Sequence, residues 1–239
     1  MSAPLSAPEM LQVAAVSKAY DGRAVLREVT FTLHHGERLA LTGPSGSGKT
    51  TLLNCLGGVD RPDSGHIHLH GIDLTRLDAD GLSDIRRSTL GTIFQFFHLL
   101  PTLSAAENVE LPLQLNHVPV HERTVRVRKL LQRVGLTHRA NARPAQLSGG
   151  EMQRAAIARA LIHQPKLILA DEPTGNLDSA NGTNILELLQ ELTDETRTAL
   201  ILVTHSPEAA AICHREIQLR DGLIVATRTV NHLPRANGS

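Results

Sequence analysis

Residues 43–50 read Gly-Pro-Ser-Gly-Ser-Gly-Lys-Thr. They match the spacing GxxxxGK[ST], which has two glycines, a lysine and a residue with a hydroxyl group. Glycines let a backbone fold into a concave nest whose N–H groups point at phosphate oxygens, and a following helix adds a favourable dipole. We predict that Lys49 holds the β- and γ-phosphates of a nucleotide and that the Thr50 hydroxyl is a ligand of Mg²⁺. The predicted phosphate-binding residues are Gly43, Pro44, Ser45, Gly46, Ser47, Gly48, Lys49, Thr50 and Thr51. A Gly- and Ser-rich turn is the alternative, but it does not explain the placement between an apolar strand and a helix.

An acidic pair ends the apolar run 167–170, and a histidine follows the apolar run 200–204. A phosphate loop needs an acidic strand end for the metal's water shell and a general base for the attacking water, and we assign these roles to Asp171 and Glu172. Because side chains alternate along a strand, two neighbouring carboxylates can take different roles. Parallel strands bring their carboxyl ends to one crevice, so His205 is expected there too. The alternatives are an acidic pair that only ends a strand and a solvated or structural histidine.

These residues need strands and helices to position them, and the hydrophobic pattern predicts both. Alternating or short apolar runs predict strands within 11–42 and at 66–70, 90–95, 167–171 and 199–204. Helical patterns predict helices at 49–56, 121–135 and 185–192, and mostly helical structure over 104–165. Asp221-Gly222 between apolar residues predicts a terminal hairpin.

The composition fits one large α/β domain of 239 residues. Lys plus Arg and Asp plus Glu both total 24, so no net charge draws the chain to nucleic acid or to an anionic membrane. Two distant cysteines, Cys55 and Cys213, exclude a disulfide scaffold and suit a reducing compartment. No apolar run reaches the ~20 residues that span a bilayer, and the N-terminus does not resemble a secretory signal. We therefore expect a cytoplasmic chain with frayed ends at 1–9 and 231–239.

A second phosphate-binding element is suggested by Leu147-Ser-Gly-Gly-Glu151. Ser148 is typical of a helix N-cap, and the two glycines would open a helix that runs to about residue 163. The free N–H groups of such a helix start can bind an anion. On spacing alone, however, the simpler interpretation is a capped helix with glycine in its first turn.

Together these segments resemble the ATP-binding cassette ATPases, whose signature motif is matched by Leu147, Ser148, Gly149, Gly150 and Glu151. The resemblance implies an α/β fold: a phosphate-loop NTPase core with a mixed sheet and flanking helices, an N-terminal antiparallel β region and an inserted α-helical subdomain. It implies one domain at 10–230, with the core at 10–95 and 162–230 and the helical subdomain at about 96–161. It also implies an ATPase that binds ATP and Mg²⁺ as a head-to-tail homodimer, in which each signature motif acts on the partner's ATP.

Further roles follow from the same resemblance. Tyr20 matches an aromatic residue that stacks on adenine, and Gln95 matches a residue that reaches the metal and the attacking water. Asp178 matches a dimer-interface loop, and His205 a switch that contacts the γ-phosphate. The implied catalytic set is Lys49, Gln95, Glu172 and His205, and the implied metal-binding set is Thr50, Gln95 and, through water, Asp171.

Residues 94–102, 107–113 and 170–178 further resemble lipoprotein-releasing and macrolide-exporting transporters. This implies an ATPase on the cytoplasmic face of the inner membrane that works through a separate membrane permease, which docks near Phe96 to Pro101, with no nucleic-acid partner. An alternative is a cell-division type ATPase that moves a membrane partner without moving cargo. A DNA-repair or translation ATPase is disfavoured by the single cassette and zero net charge. The apolar residues of the docking segment could also be core, and the basic segment 121–133 is interpreted as a solvated helix face.

Overall fold

The structure, a computed structural model, describes residues 9–230 and contains two sheets. The first is antiparallel, has the order β2-β1-β4-β5, and consists of β1 (Glu9–Tyr20), β2 (Arg23–His34), β4 (Ser64–Leu69) and β5 (Ile72–Asp73). The second has the order β10-β9-β3-β8-β7-β6 and consists of β3 (Arg38–Thr42), β6 (Leu90–Ile93), β7 (Leu167–Asp171), β8 (Ala199–Val203), β9 (Arg215–Arg220) and β10 (Leu223–Thr229). Its strands are parallel except β10, which pairs antiparallel with β9. The predicted α/β fold with a mixed sheet and an antiparallel region is confirmed.

Seven α-helices accompany the sheets in the described part of the chain. They are α1 (Lys49–Leu56), α2 (Ala79–Ser88), α3 (Ala105–Leu115), α4 (Val120–Arg133), α5 (Gly149–Leu161), α6 (Ser179–Thr196) and α7 (Pro207–Ala211). Helices α3, α4 and α5 follow one another between β6 and β7, and α3 packs on both α4 and α5.

The parallel strands β3, β7 and β8 are covered on both faces, which explains their continuous apolar sequence. Leu39 pairs with Ile201 and Leu169 pairs with the same residue from the other side, and all three are at most 2% exposed. Because β3, β6, β7 and β8 are parallel, their carboxyl ends lie at one edge of the sheet. The segments that leave these ends carry the predicted site residues.

Several sequence expectations need correction. The strand predicted at 90–95 ends at Ile93, so Gln95 lies in the following loop. Helix α2 was missed because only Leu82 and Ile85 of its ten residues are buried, too few for a clear periodicity. We predicted from the sequence that Glu9 belongs to the frayed N-terminal tail, but in the structure Glu9 is the first residue of β1. The fraying expected at 1–8 and 231–239 lies outside the described residues, and no helix within 9–230 is long and apolar enough to cross a bilayer.

Candidate active site

The turn at 43–48 joins β3 to α1 through backbone conformations that favour glycine. Gly43 has a φ of 140° and Gly48 a φ of 103°. A Cβ added at Gly43 would lie 2.0 Å from the carbonyl oxygen of Leu219, and one at Gly48 would lie 2.8 Å from that of Val25. Both close approaches exclude larger residues, so the glycines that the sequence offers are needed to form the nest.

Lys49 is folded back over this turn. Its Nζ donates hydrogen bonds to the carbonyl oxygens of Gly43 at 2.8 Å and Pro44 at 2.9 Å. Burial lowers the pKa of Lys49, and the nearby carboxylates Glu172 and Asp171 oppose that effect. These bonds hold the Lys49 ammonium beside the turn at 43–48. A phosphate oxygen could replace the two carbonyl oxygens as the acceptor of its hydrogen bonds.

Asp171 is the last residue of β7, and Glu172 leaves the strand in a left-handed conformation with a φ of 45°. The Glu172 N–H donates to the carbonyl oxygen of Val203 at 2.9 Å, which anchors this turn on β8. The sequence predicted that the two carboxylates point to opposite sides because they alternate along one strand. In the structure their directions differ instead because the backbone turns, with strain, at Glu172. Burial, followed by the charge of Glu172, raises the pKa of Asp171, whereas Lys49 lowers it.

Both carboxylate oxygens of Glu172 have partners on the segment after β8. His205 Nδ1 lies 2.7 Å from Oε1, and Thr204 Oγ1 donates to Oε2 at 3.3 Å. Thr204 is fully buried while the His205 side chain is 74% exposed. This arrangement fixes the direction of the Glu172 carboxylate. Thr204 was missed by the sequence analysis, where its only signal was a hydroxyl residue directly before His205.

Gln95 is held against the segment after Glu172. The Asn176 side-chain amide donates to the backbone oxygen of Gln95 at 2.8 Å. A Cβ added at Gly175 would lie 2.9 Å from Nε2 of Gln95, so the glycine permits this contact. Any movement of Gln95 therefore bears directly on residues 175–176, which lead to Asp178.

An open cavity of about 1060 Å³ joins most of these groups. Its wall contains ten of the predicted site residues: Ser45, Gly46, Gly48, Lys49, Thr50, Thr51, Gln95, Asp171, Glu172 and His205. Gly43 and Pro44 line a neighbouring cavity, and Ser47 is buried within the turn. Arg23 and Arg27 also line the large cavity and were not predicted; their only signal was two cations beside a turn.

A nucleoside triphosphate fits this cavity in size and charge. Lys49, Arg23 and Arg27 supply positive charge, and the turn at 43–48 supplies N–H groups. The Ser47 hydroxyl is buried without a hydrogen-bond partner, so the loop has unused hydrogen-bonding capacity. ATP therefore fits the residues present.

Mg²⁺ fits the same wall, where Thr50 and Asp171 face one space. No group of three or more His, Cys, Asp or Glu residues within 9–230 is placed to hold a metal. Mg²⁺ commonly uses one or two carboxylates together with substrate phosphates and water, and this wall supplies the Asp171 carboxylate. The raised pKa of Asp171 also reflects a buried carboxylate that a cation would stabilise.

Tyr20 is not in the wall of the cavity, which instead contains Gly22 and the three residues that follow it. Tyr20 is 43% exposed, its hydroxyl donates to Asp60, and Lys18 Nζ stands 5.2 Å from the ring centroid. The hydrogen bond to Asp60 raises the pKa of Tyr20, and Thr51 acts in the opposite direction. Tyr20 is thus partly exposed and interacts with Thr51, which follows the phosphate loop and lines the cavity.

The signature segment forms a well-capped helix start that is not part of this wall. The Ser148 hydroxyl accepts from the Glu151 N–H at 3.3 Å, and Glu151 Oε2 accepts from the Ser148 N–H at 2.8 Å, a capping box for α5. No residue from Leu147 to Glu151 lines the large cavity. The helix reaches Leu161, two residues short of the predicted end.

Asp178 also lies outside the cavity wall. It caps α6, and its carboxylate accepts from the backbone N–H of Asn181 at 2.9 Å and from its side-chain amide at 2.7 Å. These bonds to Asn181 lower the pKa of Asp178. Within one chain, the structure therefore brings together the phosphate loop, the acidic strand end, Gln95 and His205, and leaves the signature segment and Asp178 apart.

Comparison with known proteins decides what this arrangement belongs to. The family model described as "ABC transporter" matches residues 26–175. This chain belongs to the ABC transporter family. As a member of that family it is an ATPase that binds ATP, which confirms the resemblance and the activity inferred from the sequence.

This chain is 48% identical over 221 residues to the lipoprotein-releasing system ATP-binding protein LolD of Shewanella sp. (strain MR-4). The alignment covers 91% of this chain and 96% of LolD. It is 44% identical over 230 residues to the pyoverdine export ATP-binding/permease protein PvdT of Pseudomonas aeruginosa, covering 94% of this chain but only 34% of PvdT. A solved dimeric structure of the bacterial ABC transporter cassette MJ0796 superposes with a TM-score of 0.86 at 40% identity, covering 94% of this chain and all of that chain. A second MJ0796 dimer, described as a post-hydrolysis state bound to ADP and Pi, also gives 0.86.

Glu151 should stabilise the signature helix of the cassette in a pH-dependent way. Arg139 donates to Oε1 at 2.9 Å, and this bond, together with the Ser148 N–H, lowers the pKa of Glu151 to about 2. A carboxyl whose pKa is lower in the folded state stabilises the fold above its ordinary pKa of 4.5, and loses that effect as the pH falls towards 2. Glu151→Gln should therefore lower Tm by a few degrees at pH 7, with a difference that shrinks below pH 4 in thermal melts.

Arg139→Gln is the companion variant, because it removes the other member of the pair. It should show the same convergence with the wild type at low pH. A Tm difference that stays constant from pH 7 to pH 3 for both variants would contradict the assignment.

Proposed function

We propose that this chain is the ATPase subunit of a membrane complex that releases lipoproteins, located on the cytoplasmic face of the inner membrane and acting through a separate permease. The observation that carries the proposal is 48% identity to LolD along 91% of the chain. The arrangement of Glu172, His205 and Lys49 around one cavity supports it, since a complex that does work needs an intact hydrolytic site.

The proposed hydrolysis uses the residues of the cavity wall in distinct roles. Lys49 would bind the β- and γ-phosphates, and Glu172, directed by His205 and Thr204, would accept the proton of the attacking water. Thr50, Gln95 and, through water, Asp171 would hold Mg²⁺, which when bound neutralises phosphate charge. His205, the most exposed member of the set, would contact the γ-phosphate.

We propose that two copies assemble head-to-tail around two ATP molecules. The start of α5 offers free N–H groups, yet it does not line the cavity of its own chain. In a head-to-tail pair, residues 147–151 would close over the partner's ATP, and Asp178 would lie in the interface. The dimers described for MJ0796 support such a pair.

The segment from Phe96 to Pro101 is the proposed docking site of the permease. Phe96 is 67% exposed and Leu100 43% exposed, which argues against the alternative that the whole segment is core. The segment begins directly after Gln95, so nucleotide contact and permease contact are adjacent in the chain. We propose that helices α3 to α5 belong to the helical subdomain of about 96–161, which would move with the permease.

Tyr20→Ala should weaken ATP binding if the ring stacks on adenine. Loss of base stacking on an aromatic ring costs about 1–3 kcal/mol in affinity. Tyr20→Phe keeps the ring and removes only the hydrogen bond to Asp60, so its affinity should stay close to the wild type. Isothermal titration with ATP measures both variants; equal affinity for Tyr20→Ala and wild type would remove Tyr20 from the site.

Reconstitution tests the function itself. Membranes of the source cell are solubilised, the permease that co-purifies with the tagged chain is identified, and both are placed in proteoliposomes that contain lipoproteins. ATP-dependent release of lipoprotein to an acceptor, absent with the Glu172→Gln chain, is the expected result.

Two other outcomes would replace the proposal. Movement of a small molecule without lipoprotein release would favour an exporter, as the 44% identity to PvdT suggests. ATP hydrolysis stimulated by the permease with no cargo moved would favour the regulatory ATPase of the cell-division type.

A further inference from the structure

An acidic residue stands in the helix start that is proposed to meet the partner's ATP. Glu151 is the third residue of α5 and the one acidic residue within 124–170. It lies within one helical turn, about 5.4 Å along the axis, of the N–H groups of Gly149 and Gly150. A carboxylate repels a triphosphate at such a distance. The charge of Glu151 would therefore oppose the anion binding that the helix start favours.

Glu151 is nevertheless largely buried and ionised. Its side chain is 11% exposed. Oε2 accepts a hydrogen bond from the Ser148 N–H at 2.8 Å, and Oε1 accepts one from Arg139 Nε at 2.9 Å. The bond from Arg139, followed by the bond from Ser148, lowers the pKa of Glu151 to about 2. The residue therefore carries a full negative charge at neutral pH.

Arg139 reaches Glu151 from the turn that follows α4. Its backbone N–H donates to the carbonyl oxygen of Leu136 at 2.9 Å. Its side chain is 40% exposed, and within residues 9–230 it forms an ion pair with Glu151 alone. His138 Nε2 lies 3.9 Å from the same carboxylate oxygen, a longer contact that is ionic only when His138 is protonated. Arg139 is thus the permanent positive charge that balances Glu151.

We propose that Arg139 is a positioning residue for ATP hydrolysis, because it neutralises Glu151 and holds that carboxylate on its own helix start. The inference rests on the head-to-tail pair proposed above and names the residue that keeps 147–151 able to bind an anion. Without Arg139, the uncompensated charge of Glu151 would lie beside the γ-phosphate of the partner's ATP. That repulsion would oppose the attraction of the free N–H groups of α5.

The alternative is an ion pair that only stabilises the fold. Such a pair would change Tm and would leave turnover and dimerisation of the folded chains unchanged well below Tm. Charge compensation predicts instead that loss of Arg139 impairs both at such a temperature. It also predicts that removal of the Glu151 charge restores them, and that salt lessens the defect.

The first measurement is steady-state turnover of the full chain over a range of ATP concentrations, well below the Tm of every variant. Arg139→Gln should lower kcat/KM at least about 10-fold. Adding Glu151→Gln to that variant should restore most of the lost kcat/KM, although both members of the pair are then gone. Arg139→Lys keeps the positive charge and should retain most of the activity.

The second measurement follows the ATP-dependent dimer directly. In the Glu172→Gln background, where ATP should stay bound, Arg139→Gln should raise the dimer dissociation constant at least about 10-fold. ATP affinity of the monomer should not change, because Arg139 does not line the ATP cavity. The difference in dimerisation should narrow in about 1 M salt, which shortens the Debye length to about 3 Å.

Arg123→Gln is the matched control. Arg123 Nε donates to Glu110 Oε1 at 2.6 Å, in an ion pair between α4 and α3 whose side chains are 19% and 23% exposed. This variant removes the same charge from a partly buried pair outside the signature segment. Its Tm should therefore fall, while its turnover and dimerisation stay at the wild-type values.

The two proposals fail in different ways. Turnover and dimerisation of Arg139→Gln that equal those of Arg123→Gln would overturn the positioning role and leave the head-to-tail pair intact. A double variant that is as impaired as Arg139→Gln alone would overturn it as well. If the Glu172→Gln chain does not dimerise with ATP at all, the pair is wrong, and this inference is wrong with it.

Discussion

Glu172→Gln should stop ATP hydrolysis while ATP stays bound. A positioned general base contributes about 10²–10⁴-fold to rate, and the amide has the shape of the carboxylate but cannot accept the proton. His205 and Thr204 would still contact position 172, so the turn after β7 should keep its form. We expect kcat to fall by about that factor with little change in ATP affinity.

The measurement combines ATP turnover with size-exclusion chromatography in the presence of ATP. The variant should elute as an ATP-containing dimer, because hydrolysis no longer resolves the closed pair. Glu208→Gln, the same chemical change on α7 outside the large cavity, is the matched control and should behave as the wild type. A Glu172→Gln protein that remains monomeric and hydrolyses ATP at the wild-type rate would contradict both the base and the dimer.

Gly149→Asp should abolish hydrolysis without weakening ATP binding to the isolated chain. A Cβ at this first position of α5 would meet only Leu177 Cδ2, at 3.3 Å, so the side chain can be accommodated. A negative charge at a helix N-terminus stabilises the helix, and the fold should therefore keep its Tm. The same charge would repel the γ-phosphate of a partner's ATP, so we expect turnover to fall about 100-fold or more.

Two variants separate the possible explanations. Gly149→Ala adds bulk without charge and should retain most activity, whereas Lys49→Ala should weaken ATP binding itself, since Lys49 lies in the cavity wall. Titration of monomeric protein with ATP gives the affinity, and steady-state turnover gives the rate. If Gly149→Asp lowers ATP affinity as much as Lys49→Ala does, the signature segment acts on its own chain's nucleotide, and the head-to-tail pair is wrong.

The local features of the site were readable from the sequence because each depends on a short stretch of backbone. The glycines of 43–48, the cap at Ser148 and the apolar runs of β3, β7 and β8 are properties of a few consecutive residues. Parallel pairing then requires that the ends of those strands meet, so Asp171 and His205 could be placed at one crevice from sequence alone.

Contacts between distant segments were decided only by the tertiary structure. The hydrogen bonds of Glu172 depend on the register of β7 on β8, where Asp171 pairs with Val203. They also depend on a left-handed turn at Glu172, which the sequence does not predict because no glycine stands at that position. Gln95 is held by Gly175 and Asn176, about 80 residues further along the chain. The predicted strand alternation at 171–172 was wrong because β7 ends at Asp171, and Glu172 already has the left-handed conformation of the following turn.

The sequence by itself therefore determined the fold class, the phosphate loop and the acidic strand end, since local glycine, capping and apolar patterns specify them. Only the tertiary structure decided that His205 and Thr204 orient Glu172, that the signature helix lies outside its own chain's ATP cavity, and that Arg139 pairs with Glu151 at the start of that helix. These three results depend on strand register and helix packing, which join residues far apart in sequence, and no short pattern of residues encodes such a distance.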